Sequence, residues 1–425
     1  MNRLPPANGD RRRRAPFRPL IRAAVVWAVF IASVCFADEK TGADPRWQGL
    51  AGRIGPRDAV ALAAPDGRRL VSLHTETPLI PASTLKLLTV LAGFDILGAD
   101  HRFPTDFWVD PAGNLKIQGY GDPMLISEVV ARIARQLAEA LGPVARVGDL
   151  VLDESFFAEP LSIPGVSDSF EPYDAPNGAL CVNFNTVYFR RTSNGRFESA
   201  EPQTPLLPVV VKRARTSGLD YGRIVLSRSG SEALFYAGHL FAHFLAEAGV
   251  DITGSIRAGS VDPSTDRLLF RHHSPFTLAD VAGRLMEYSN NFIANQVLIA
   301  AGARQFGAPG TLEKGIRATG AFAQEKLGLT GLTIAEGSGI SRKNRMTAEA
   351  MMTVLAHFFP HRHLLESHGA VRYKTGTLSG IRTRAGYIDT EAGVYRFVVL
   401  VNTPGRAAEP IVRMLVEGIG AEEDR

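Results

Sequence analysis

The stretch Pro81-Ala82-Ser83-Thr84-Leu85-Lys86 begins an apolar run that extends to Leu97. The run has helical periodicity but is apolar on nearly all of its faces, which is typical of a helix buried in a core. Lysine is almost never fully buried without a partner, so Lys86 in the first turn of this helix requires an explanation. Ser83 lies three residues earlier, on the same helix face. A hydroxyl beside an amine at a helix N-terminus predicts a serine nucleophile with a lysine base.

Ser83 and Lys86 also fit a purely structural interpretation. Serine is a common N-cap residue, and a lysine near a helix end often extends its amine to solvent. This stretch alone supports both interpretations, so the rest of the chain has to decide between them.

The N-terminus has the pattern of a secretory signal. Seven arginines precede or border an apolar run from Ala23 to Phe36, and the small residue Ala37 follows. We therefore expect residues 1–37 to be a signal peptide that directs the protein to the periplasm. The apolar run is short for a membrane-spanning helix. Membrane association through an uncleaved N-terminus is the alternative.

Composition argues for an ordinary globular protein of two or three domains, with 425 residues, 45% hydrophobic and 21% charged. Without residues 1–37 the chain has 40 basic and 42 acidic side chains, so the pI of about 9.1 comes from the signal. We expect no nucleic-acid partner. Of the two cysteines, Cys35 lies in the signal, which leaves Cys181 without an intrachain partner and makes it a candidate buried small residue.

The order of strand and helix patterns predicts an α+β fold with an antiparallel sheet. A hairpin is expected at residues 59–73, and two further strands at 385–389 and 394–401, with helices between them. We expect residues 104–261 to form an inserted region, because helical organisation like that of the first part of the chain resumes after it. The elements expected in the second half of that region are strands at 182–189, 209–212 and 223–226 and a helix at 236–248.

Two more short patterns follow Ser83-x-x-Lys86 along the chain. They are Ser289-x-Asn291 and Lys374-Thr375-Gly376. In this order the three patterns form the signature of active-site serine penicillin-recognising enzymes. A second copy of the last pattern, Lys40-Thr41-Gly42, precedes the serine and has no strand behind it, so we treat it as a chance match.

The middle pattern can also be read one residue earlier, as Tyr288-Ser289-Asn290, a version found in some β-lactamases and esterases. The run Met286-x-x-Ser289-x-Asn291-x-x-Ala294, however, resembles that of the low-molecular-mass class C penicillin-binding proteins, which are D-alanyl-D-alanine carboxypeptidases and endopeptidases. Other stretches similar to the family pattern are 121–123, 236–238, 337–342, 374–378 and 385–387.

This resemblance implies a domain organisation. Residues 38–103 and 262–425 would form a penicillin-binding/β-lactamase-like transpeptidase domain, an antiparallel sheet flanked by helices. Residues 104–261 would form a β-rich inserted accessory domain, shortened relative to the family because the stretch 185–236 is brief.

The resemblance also implies roles for the matching residues. Ser83 would attack the carbonyl between two D-alanines and form an acyl-enzyme. Lys86 would take its proton, which requires a neutral amine; burial and the charge of Lys374 both lower the pKa of such an amine. The remaining roles are proton transfer to the leaving amine by Ser289, substrate amide binding by Asn291, carboxylate binding by Lys374 and Thr375, room for substrate at Gly376, and an oxyanion hole from the backbone N–H groups of Ser83 and Thr377.

The expected partners are peptidoglycan stem peptides, with β-lactams as covalent inhibitors; no cofactor or metal is expected. One alternative is a β-lactamase or esterase on the same scaffold, but no Glu-x-x-Leu-Asn stretch lies between the second and third patterns. Another is a catalytically silent wall-binding protein, against which the intact Ser83, Lys86 and Lys374 argue. Carboxypeptidase and endopeptidase action both remain open.

Overall fold

The computed structural model describes residues 45–47, 49–142, 145–227 and 230–423. The predicted signal peptide at 1–37, with Cys35, and the Lys40-Thr41-Gly42 copy lie outside the described residues. In the part of the chain that is described, no helix has the length and apolar character needed to cross a membrane.

The helices are distributed along the whole described chain. They are α1 (Lys86–Leu97), α2 (Ser127–Leu141), α3 (Pro208–Ser217), α4 (Gly230–Glu247), α5 (Leu278–Tyr288), α6 (Asn291–Phe306), α7 (Leu312–Leu327), α8 (Ala348–Phe358) and α9 (Glu409–Glu423).

The strands of the described residues belong to four sheets. They are β1 (Asp58–Ala63), β2 (Arg69–Leu73), β3 (Pro104–Val109), β4 (Leu115–Gly119), β5 (Arg146–Val147), β6 (Leu150–Asp153), β7 (Thr186–Arg191), β8 (Phe197–Ser199), β9 (Tyr221–Val225), β10 (Asp251–Ile252), β11 (Ile256–Ala258), β12 (Arg267–His273), β13 (Ser367–His368), β14 (Val371–Leu378), β15 (Ile381–Thr390) and β16 (Gly393–Val401).

The largest sheet is antiparallel, with the strand order β13-β14-β15-β16-β1-β2. All residues of strand β1 are buried. Since alternate side chains of a strand point to opposite sides, both faces of β1 are covered. Ala59 and Ala61 belong to the core shared with α1, α5, α6 and α8. Val60 and Leu62 belong to a second core, which α9 covers. The predicted α+β arrangement of an antiparallel sheet flanked by helices is confirmed.

The inserted region has its own core. A mixed sheet of order β11-β6-β4-β3-β12 packs against α2 and α4. Strand β12 lies beyond residue 261 but pairs with β3 from Arg267 to His273, so a boundary drawn from this sheet falls after His273. The division into domains at residues 104 and 261 otherwise stays a prediction. The brief stretch 185–236 contains the small sheet β8-β7-β9 and α3.

One predicted strand is wrong. Val209 to Lys212, expected to be a strand, lies in helix α3. Proline at the first helical position, Pro208, suits a helix start. Val210 and Ala214, four residues apart, are buried on one face, so tertiary packing outweighs the low helix propensity of valine.

Candidate active site

The candidate nucleophile Ser83 lies on a turn, Ala82–Leu85 (the nucleophile turn), that precedes α1 and is not part of it. Ala82–Leu85 forms a single 3-10 turn, and the α-helix begins only at Lys86. Ala82 adopts a left-handed conformation with φ of 48°, which is costly for a residue with a side chain. Two threonine hydroxyls support the turn, since Thr84 Oγ1 and Thr383 Oγ1 donate to Pro81 O at 2.7 and 2.8 Å. No side chain caps this turn or α1, so the N-cap interpretation of Ser83 is wrong.

Lys86 is fully buried, with 0% of its surface exposed, so the interpretation that it extends to solvent is also wrong. Its Nζ lies 2.9 Å from Ser83 Oγ, 2.8 Å from Asn291 Oδ1 and 2.7 Å from Ser338 O. The last two atoms are carbonyl oxygens and can only accept hydrogen bonds. A neutral amine donates its two protons to them and keeps its lone pair for the Ser83 hydroxyl.

The surroundings of Lys86 favour this neutral form. Burial lowers the pKa of the amine well below its ordinary value, and the positive charge of Lys374 lowers it further. The carboxylate of Glu336 acts in the opposite direction and does not outweigh the other two. Lys86 thus has the electrostatic environment that a lysine base requires.

The Ser289–Asn291 segment joins two helices. Helix α5 ends at Tyr288, Ser289 takes a left-handed conformation (φ 51°, ψ 36°), and Asn290 caps α6 by accepting from Ile293 N at 3.0 Å. Asn291, the first residue of α6, directs its Oδ1 to Lys86. This contact favours the Ser289-x-Asn291 register. Within the described residues the Ser289 side chain makes no hydrogen bond, so its hydroxyl is free for a substrate.

Lys374, Thr375 and Gly376 lie on β14, beside the nucleophile turn. Lys374 is 3% exposed, and its Nζ donates to Thr375 O at 3.2 Å. Burial and then the charge of Arg384 lower the pKa of Lys374 to about 8.

The packing of the protein itself requires a glycine at position 376, and the role of Gly376 in making room for substrate stays a prediction. A Cβ at this position would lie 2.1 Å from Thr383 Oγ1 and 3.0 Å from both Pro81 O and Ser83 N. A side chain would collide with the protein itself, so the glycine allows β14 to pack against the nucleophile turn. Thr377 follows Gly376 on β14, and its part in an oxyanion hole with Ser83 stays a prediction.

Sequence reasoning missed one buried acid in the site. Glu336 is 0% exposed and begins the loop 336–344, whose Ser338 carbonyl contacts Lys86. Glu336 directly precedes the stretch 337–342, which resembles the family pattern, but nothing in the sequence indicates that this acid is buried near Lys86.

A cavity of about 730 Å³ adjoins the Ser289–Asn291 segment and extends to the inserted region. Its lining combines apolar side chains with four charged ones. Tyr173 and Tyr288, which also line it, are 52% and 65% exposed. The four charged residues are Glu128, Glu201, Arg223 and Arg284, and Phe184, Phe276 and Gln203 also line the cavity.

Comparison with known proteins identifies the family. Residues 55–217 and 198–368 match the D-Ala-D-Ala carboxypeptidase 3 (S13) family, which is most of the chain. The chain belongs to this family. The predictions of a low-molecular-mass class C penicillin-binding protein and of a serine-type D-Ala-D-Ala peptidase are thereby confirmed.

Individual proteins similar to this chain also match over most of its length. A D-alanyl-D-alanine carboxypeptidase of Actinomadura sp. is 25% identical over 84% of this chain and 79% of its own. The crystal structure of penicillin-binding protein 4 from Haemophilus influenzae covers 88% of this chain and 98% of its own, with a TM-score of 0.69 at 19% identity. A second structure of that protein, complexed with a β-lactam, has a TM-score of 0.66 at 17% identity with the same coverage. The predicted penicillin-binding fold is confirmed.

Proposed function

We propose that this S13 enzyme hydrolyses D-Ala-D-Ala peptides of peptidoglycan through an acyl-enzyme on Ser83. The observation that carries the proposal is the buried Lys86 amine, 2.9 Å from Ser83 Oγ, with its other two contacts made to carbonyl acceptors. A nucleophile within hydrogen-bond reach of an oriented base is the arrangement that covalent catalysis needs.

The proposed reaction moves one proton through the site. Ser83 Oγ attacks the carbonyl of the penultimate D-alanine while Lys86 takes the hydroxyl proton. The backbone N–H groups of Ser83 and Thr377 stabilise the oxyanion. The proton then passes through Ser289 to the leaving amine, the C–N bond breaks, and water hydrolyses the resulting ester to regenerate Ser83.

The other site residues would hold the substrate. Lys374 and Thr375 would bind the terminal carboxylate, as an ammonium and a hydroxyl side by side, and Asn291 would bind the substrate amide. A β-lactam would acylate Ser83 by the same steps, with its opened ring retained. Signal-directed export of residues 38–425 to the periplasm would bring the enzyme to this substrate.

Incubation with a fluorescent penicillin and, separately, with a pentapeptide muropeptide tests this function. We expect covalent labelling and release of D-alanine. A correctly folded protein that is not labelled and releases no D-alanine would contradict the proposal. Nitrocefin turnover at many cycles per second would instead favour the β-lactamase alternative.

The pH dependence of kcat/KM should follow the protonation state of Lys374. Its pKa of about 8 means that the ammonium is present below pH 8 and is lost above it. Because the carboxylate of the substrate needs that charge, kcat/KM should fall by up to about tenfold per pH unit above pH 8. Loss of the charge also lets the pKa of Lys86 rise, which acts in the same direction. In Lys374→Arg, which stays charged, the decline should move to higher pH; an identical decline in both proteins would contradict this role.

The cavity beside Ser289 favours endopeptidase action as a second activity. A carboxypeptidase releases a single D-alanine, whereas cleavage of a cross-link releases a second stem peptide with several charged groups. A space of about 730 Å³ on the Ser289 side, lined by both acids and arginines, offers room for such a leaving group. Its apolar part is formed by residues such as Phe184 and Phe276.

Filling this cavity should therefore impair cross-link cleavage selectively. Gln203 lines the cavity from an exposed position, so Gln203→Trp should fold and occupy part of the space. We expect the ratio of kcat/KM on a cross-linked dimer to that on the monomer to fall about tenfold, the effect of one blocked subsite. Gln324→Trp, at an exposed position on α7, is the matched control. An unchanged ratio in Gln203→Trp would exclude this use of the cavity.

A further inference from the structure

Glu336 is a buried carboxylate that the proposed catalytic steps do not use. No basic side chain is among its hydrogen-bond partners in the described residues. Its Oε2 accepts from Ser338 N at 2.6 Å, Ser338 Oγ at 2.6 Å and Asn295 Nδ2 at 3.2 Å. Its Oε1 accepts from Gly339 N at 2.7 Å, Ser341 N at 3.3 Å and Asn344 Nδ2 at 2.7 Å. Burying a charge is costly unless hydrogen bonds satisfy it, and these six donors occupy both oxygens.

The loop that wraps this carboxylate also contacts the catalytic pair. The peptide groups of Ser338 connect the two, because its N–H donates to Glu336 and its carbonyl accepts from Lys86 Nζ at 2.7 Å. Gly339 packs directly on the nucleophile turn, where a Cβ would lie 1.9 Å from Ala82 O. Thr89 of α1 donates to Gly337 O at 2.6 Å. A shift of the carboxylate would thus move the loop that lies against Lys86 and Ser83.

We infer that Glu336 is a positioning residue for the catalytic lysine: it fixes the Ser338 carbonyl that orients the Lys86 amine, and it supplies the buried negative charge that stabilises Lys86 when it takes the Ser83 proton. The inference rests on the proposed function of Ser83 and Lys86.

The charges around Lys86 give this role its physical reason. Lys374 faces it from β14 and lowers its pKa, Glu336 faces it from the loop and raises it, and α6 contributes the neutral Asn291. The proposed mechanism starts from a neutral Lys86, so the proton from Ser83 would create a second ammonium in a buried site. The Glu336 carboxylate balances that charge until the proton leaves through Ser289. Burial and the charge of Lys374 favour the neutral amine, and the Glu336 carboxylate lowers the free-energy cost of protonating it.

The pH profile of acylation separates this role from a purely structural one. Acylation declines at low pH as Lys86 becomes protonated. Because the Glu336 charge raises the pKa of Lys86, its removal should move this decline to lower pH. In Glu336→Gln an NH₂ group also replaces one carboxylate oxygen. The donors that bond to that oxygen in the wild type lose their acceptor, so the loop should shift.

The experiment measures the second-order rate of labelling by a fluorescent penicillin from pH 4 to 9. For folded Glu336→Gln we expect a rate at pH 7 lower by about 30-fold, in line with several unsatisfied buried groups, together with a decline displaced to lower pH. Glu325→Gln, exposed on α7, is the matched control and should behave as the wild type. Folded Glu336→Gln with the wild-type rate, or with a lower rate but an unmoved decline, would overturn the inference.

Glu336→Asp provides a second variant if Glu336→Gln does not fold. Aspartate keeps the negative charge, but its shorter side chain moves the carboxylate away from the loop donors. The labelling rate should therefore fall at least about fivefold, while the decline of that rate at low pH stays in place. The wild-type rate in this variant would overturn the inference. An unlabelled, folded wild type would instead overturn the proposed function itself, so the two failures are distinguishable.

Discussion

Replacing Ser83 by alanine is expected to abolish covalent labelling by penicillin and to lower D-alanine release by a factor on the order of 10⁶, as loss of the nucleophile does in other serine hydrolases. Without the Ser83 hydroxyl no ester can form, and Lys86 has no proton to accept. The measurement is fluorescent-penicillin labelling on a gel, with D-alanine release from a pentapeptide muropeptide assayed in parallel.

Two controls make this result specific. Ser260→Ala removes an exposed hydroxyl elsewhere on the protein and should leave labelling at the wild-type level. Circular dichroism should show that Ser83→Ala is folded, because the half-buried Ser83 side chain contributes little packing. Labelling of Ser83→Ala at the wild-type stoichiometry would place the acyl group on another residue.

Replacing Lys86 should be nearly as damaging, for a different reason. We expect Lys86→Met to acylate about 10⁴-fold more slowly, the upper range for loss of a positioned base. Methionine is an unbranched side chain like lysine. It leaves Asn291 Oδ1 and Ser338 O without their donor, while the cost of burying an amine disappears. These effects oppose each other, so the variant should stay folded.

Lys86→Arg distinguishes a base from a fixed charge. Arginine can keep hydrogen bonds to the carbonyl oxygens, but it is not deprotonated in proteins and cannot take the Ser83 proton. We expect Lys86→Arg to be as inactive as Lys86→Met in the labelling assay. Acylation of Lys86→Arg at a rate close to the wild type would show that Lys86 acts only by its charge, and the base role would have to be abandoned.

The candidate catalytic residues could be picked out from the sequence because the patterns that contain them are local. Ser83 and Lys86 are three residues apart, so any helical turn brings them together. Asn291 and Lys374 are distant in sequence, yet each belongs to a short pattern whose order along the chain indicates the family. The structure brings Asn291 into contact with Lys86 and shows Lys374 as the second cause of its lowered pKa. The catalytic steps assigned to these residues remain proposals.

What could not be predicted depends on long-range packing. The burial of Glu336 follows from donors on α6 and on its own loop, and a sequence pattern cannot tell such an acid from an exposed one. Helix α3 forms where three consecutive valines favour a strand, because its buried face packs in the inserted core. Cys181, by contrast, was predicted to be a buried small residue, and this is confirmed.

The protonation state of Lys86 in the free enzyme tests the central claim most directly. It can be measured by NMR of protein labelled with ¹³C and ¹⁵N in its lysines, with the Lys86 signal assigned by its absence from Lys86→Met. The account predicts that Lys86 is a neutral amine at pH 7 while the exposed lysines are ammonium ions. A Lys86 signal that remains that of an ammonium ion at pH 7 would contradict the claim that this buried lysine is the base for Ser83.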